Sequence, residues 1–155
     1  MNSSEIVAVS KRLWPDQDPA GFNFFDFLHA QGSPRIALFY SRLFWPEFVE
    51  FEGMVFLEGS LEDEEDRQRV RDTLERYGGD MSKTEKSFNV VEIPPLFGKR
   101  SGETTEDEDR LLASQICTMW KARLRALFAG RNFEVEVQRP TEQGDEIAVC
   151  FYQYR

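Results

Sequence analysis

The sequence predicts an α+β fold: a mainly antiparallel sheet of about four strands with helices packed on one face. Two patterns predict it. Apolar residues recur at helical spacing in several stretches, and elsewhere they alternate strictly with polar ones. Both patterns are bounded by the residues that start and stop such elements. In "SSEIVAVSKRLW" a serine cap precedes Ile6, Val9 and Leu13, and Pro15 closes the helix. "FNFFDFLHAQG" reads as a helical turn beyond a Pro/Asp-rich loop. In "SPRIALFYSRLF", Ser33 caps, Pro34 takes the first helical position, and Ile36, Phe39, Tyr40, Leu43 and Phe44 share one face. Pro46 ends that helix, because the residue before proline is pushed out of helical geometry.

Beyond Pro46 the period changes to two. Val49–Leu57 is predicted as one strand with Val49, Phe51, Val55 and Leu57 on the core face. "SLEDEEDRQRVRDTLERYGG" follows as a surface helix with Ser60 as cap, a stripe of Val70, Leu74 and Tyr77, and Gly78–Gly79 as its stop. "FNVVEI", 88–93, reads as a strand ended by two prolines. Thr105 and Glu108 form a capping box for the longest helix, to about Ala129, with Leu112, Ile116, Met119, Leu124 and Leu127 inward beside Trp120. The last two strands, 133–138 and 146–154, flank a loop with Pro140 and Gly144 and form a hairpin. Phe133, Val135, Val137, Ile147, Val149 and Phe151 are expected on its core face. No repeat or linker divides residues 1–155, which are read as a single domain.

Leu, Ile, Val and Phe supply 41 of the 155 residues, enough apolar content to drive collapse despite the charge. A net charge of −9 argues against a nucleic-acid partner and favours a basic protein partner. No apolar run is long enough to cross a membrane, since Arg42, Glu47, Glu50 and Glu52 interrupt the most apolar stretch. The N-terminal sequence lacks the pattern of a signal peptide, and Cys117 and Cys150 form neither a disulfide framework nor a metal pair. A reduced, cytoplasmic setting is the expectation.

Chemical motifs are few. Asp26 and His29 are spaced to meet on a helix, and with Tyr40 and Trp45 they are candidates for a small-molecule pocket or an enzyme cleft in the aromatic stretch 22–56. Nine of the fourteen phenylalanines fall in that stretch, which core packing also explains. "LFGKRSGE" lacks the spacing of a phosphate loop. The acidic runs "EDEED" and "EDED" lack the alternation and glycine of a calcium loop and suit helix N-termini instead. No cofactor, metal site or catalytic set is expected. The preferred reading is a non-catalytic interaction protein of the inhibitor, immunity or adaptor kind, engaging a basic partner through Glu50, Glu52, Glu134, Glu136, Tyr152 and Tyr154. Alternation puts these on the sheet face away from the helices.

Overall fold

The computed structural model describes residues 3–15, 21, 23–139 and 146–155. It is a mixture of helices and two small antiparallel sheets, and its contacts divide the chain into two compact units, 1–41 and 42–155.

The first unit holds α1 (Ser3–Leu13), α2 (Phe24–Gln31) and most of α3 (Pro34–Phe44). Asn23 caps α2 by accepting from the Phe25 N–H, and Ser33 Oγ accepts from the Ile36 N–H at the start of α3. The Trp14 and Phe27 rings meet edge to face at 5.0 Å. Neither α2 nor α3 contains a buried residue. Phe24–Gln31 of the stretch read as a helical turn are thus helical, as the sequence suggested.

In the second unit, β1 (Phe48–Phe51) and β2 (Met54–Leu57) form a hairpin where the sequence suggested one strand. Glu52 and Gly53 turn the chain with φ of 49° and 78°, the paired positive angles of a two-residue hairpin turn. Period-two patterning runs through this turn without a break, and Glu-Gly is a weaker signal than Asn-Gly or Asp-Gly. The turn also redirects the side chains. Val49 and Phe51 pack with Met54, Phe56, Leu61 and Val70, whereas Val55 and Leu57 belong to the main core.

Helix α4 (Glu64–Arg76) starts one turn later than the sequence suggested, with Asp63 rather than Ser60 as cap. Leu61 is buried ahead of it, and Val70 and Leu74 pack inward as expected. Gly78 and Gly79 adopt positive φ and stop the helix, the Gly79 N–H reaching back to Leu74 O. Helix α5 (Met81–Phe88), capped by Asp80, was not foreseen, because its inward residues Thr84 and Glu85 are polar. It takes Phe88 out of the predicted strand, and Ile93 opens the short α6 (Ile93–Leu96), so β3 is only Val90–Glu92.

After a 3-10 turn at Gly98–Glu103 comes α7 (Glu106–Leu127), with the Thr105–Glu108 capping box in place. It ends at Leu127, before Ala129. Its buried stripe is Ala113, Ile116, Trp120 and Leu124; Leu127 is exposed. β4 (Phe133–Gln138) and β5 (Ala148–Gln153) pair antiparallel, and β3 adds to the other side of β5, giving the order β3-β5-β4. Pro140 and Gly144 lie outside the described residues. Phe133, Val135, Val137, Ile147, Val149 and Phe151 share the core face as expected, against Trp120 of α7. Trp120 and Phe48 both meet the Phe151 ring edge to face, at 6.0 and 5.2 Å.

The described residues therefore form five strands in two sheets, rather than about four strands in one. The two sheets meet in the apolar core through Phe48, Val55 and Leu57, and α5 links them by hydrogen bonds. Glu85 Oε1 accepts from the Val55 N–H of β2 at 2.8 Å, and its Oε2 accepts from the Gln153 N–H of β5 at 2.6 Å. Asn89, one turn on, donates from Nδ2 to Val55 O and accepts at Oδ1 from the Leu57 N–H. Its amide pairs with the outer edge of β2 as a peptide group of a neighbouring strand would. Asn89 O accepts from the Phe151 N–H and Ser82 Oγ donates to Gln153 O, so the β5 edge beyond β3 is satisfied too.

Candidate functional site

The hairpin register opposes Glu134 to Tyr152 and Glu136 to Cys150, which sets these four on the face of β4–β5 away from Trp120. That face was expected to meet water, yet α5 reaches over part of it. Lys86 Nζ lies 2.6 Å from Glu136 Oε1 and 5.2 Å from the centre of the Tyr152 ring. Beneath them Cys150 is fully buried, its Sγ 3.6 Å from Glu136 Oε1.

The electrostatics follow from this arrangement. The Lys86 hydrogen bond holds the Glu136 carboxyl below the usual carboxylate range, and the same bond raises Lys86. Burial, reinforced by the charge of Glu136, pushes the Cys150 thiol up to about 12. Burial also raises Tyr152, with Glu136 adding to the effect. Cys150 is thus a protonated core residue at neutral pH. Glu134 is held more loosely: its carboxylate stands 3.7 Å from Lys121 Nζ, with half of the side chain exposed. Tyr154 lies just past the end of β5 and is 74% exposed.

The other predicted carboxylates lie elsewhere. Glu50 is on β1, in the other sheet, and meets Arg131 at 2.6 Å. Glu52 occupies the hairpin turn and meets Arg71 at 2.8 Å, while the Arg71 guanidinium covers the Phe51 ring. The six residues therefore do not form one surface. Glu134, Glu136 and Tyr152 are brought together, Tyr154 follows them, and Glu50 and Glu52 are placed apart on the β1–β2 hairpin.

The alternative pocket residues are also dispersed along the chain. Asp26 and His29 are exposed on α2, and Tyr40 is exposed on α3, all in unit 1–41. Trp45 belongs to unit 42–155, where its ring lies 5.5 Å from the Arg123 guanidinium. Among the described residues no group of three or more His, Cys, Asp or Glu is placed to hold a metal ion, and no helix is long and apolar enough to cross a membrane.

Lys86, Glu85 and Asn89 were missed by sequence reasoning. Glu85 is the most consequential, being fully buried. Besides the two amides, both its oxygens accept from the Arg155 guanidinium, at 3.0 and 3.1 Å, and Arg155 also donates to Gly53 O. The Glu/Asn spacing of one helical turn was visible, but such a pair on a short, apolar-poor segment ordinarily marks a solvated face.

Comparison with protein-family models, with curated proteins and with solved structures finds no match for this chain.

Proposed function

We propose that the chain is a non-catalytic binding protein that engages a basic protein partner, with Glu134 and Tyr152 on the outer face of β4–β5, and Tyr154 just past the end of β5, as the contact. The observation that carries this reading is the register, which sets the half-exposed Glu134 directly opposite Tyr152. A carboxylate beside tyrosine rings suits a lysine- or arginine-bearing surface: the rings offer contact area at low entropic cost, and the charge adds steering and orientation. Charge balance adds support. Residues 42–155 carry 24 acidic and 16 basic side chains, a balance of −8. Many of those cations are already tied to carboxylates of the chain itself, among them Arg42, Arg71, Lys86, Arg123, Arg131 and Arg155. Among the described residues, Glu65, Glu75 and Glu92 have no such cation and leave the surplus outward. Glu136 is assigned to the fold rather than to the contact, because Lys86 already neutralises it.

The test is titration with a synthetic lysine-rich peptide at low and moderate salt, comparing Glu134→Lys with Glu75→Lys. Both variants change the net charge equally. The reading expects Glu134→Lys to weaken association several-fold more than Glu75→Lys, with a flatter salt dependence. Equal weakening by the two would show a diffuse charge effect and contradict a site on this face.

A further inference from the structure

We draw no further inference here: the strongest candidate, the exposed apolar stripe of α3 formed by Ile36, Phe39 and Tyr40, carries nothing because nothing in the structure shows what covers it.

Discussion

Glu136 and Glu134 stand two residues apart on one strand and answer to different constraints. The Lys86 partnership lowers the Glu136 pKa in the folded state. Its contribution is therefore fully present above the unfolded carboxylate value and is lost as pH falls through the lower, folded one. Glu136→Gln should cost up to about 1 kcal/mol at neutral pH, a modest figure because both partners are more than a third exposed. Urea midpoints measured from pH 7 downward should show the variant and wild type converging in the acid range. A gap that persists there would mean that the glutamate acts by packing and not by charge. The cysteines give a second residue-scale outcome. Burial raises both thiols, Cys150 to about 12, while Cys117 stays partly accessible and bonds to Val135 O at 3.2 Å. A thiol reagent at pH 8 should label Cys117 first and reach Cys150 only on unfolding; early labelling of Cys150 would contradict its burial.

At the scale of elements, the β1–β2 turn depends on Gly53. Its φ of 78° disfavours any residue with a Cβ, and an added Cβ would stand 3.3 Å from Met81 Cε of α5. Gly53→Ala should cost about 1–2 kcal/mol in thermal or urea unfolding, and an unchanged midpoint would count against the turn. Trp120 fixes α7 to the core. It is 1% exposed, and its indole N–H donates to Leu43 O at 2.8 Å. Trp120→Ala should cost about 3–5 kcal/mol from lost burial and an unfilled cavity. Phe51→Ala should cost less than that, because Phe51 is only partly buried. Those elements whose buried stripe is apolar were legible in the sequence. The capping box and stripe announced α7, and alternation announced both strands of the β4–β5 hairpin and its core face. The β1–β2 turn was hidden because a two-residue turn leaves the alternation unbroken while exchanging the faces. Helix α5 was hidden because the two residues it buries, Thr84 and Glu85, are polar, and because Phe88 and Asn89 read as the start of a strand. The candidate site was legible to the same degree. Alternation placed Glu134, Glu136 and Tyr152 together, but Lys86 comes from the helix that the pattern did not reveal.

For the unit 42–155 as a whole, two sheets and two apolar clusters have to be held in one arrangement, and polar groups of α5 contribute what neither sheet supplies. The same helix presents Lys86 to Glu136, so the division of the acidic face into a tightly paired Glu136 and a more loosely held Glu134 depends on its position. Glu85 is the centre of this arrangement, since its two oxygens serve one amide from each sheet and both are bonded to Arg155. Replacing it with glutamine would set an NH2 against one of the N–H donors and remove the charge facing Arg155. A buried carboxylate so engaged costs about 3 kcal/mol or more when its charge is lost, much of that from the partners left behind. The most direct test is native-state amide hydrogen exchange on Glu85→Gln. In this variant the amides of Val55 and Gln153 should lose protection together, and by more than those between β4 and β5, along with that loss of stability. Unchanged protection at both amides, in a variant within about 1 kcal/mol of wild type, would contradict the claim that Glu85 joins the two sheets.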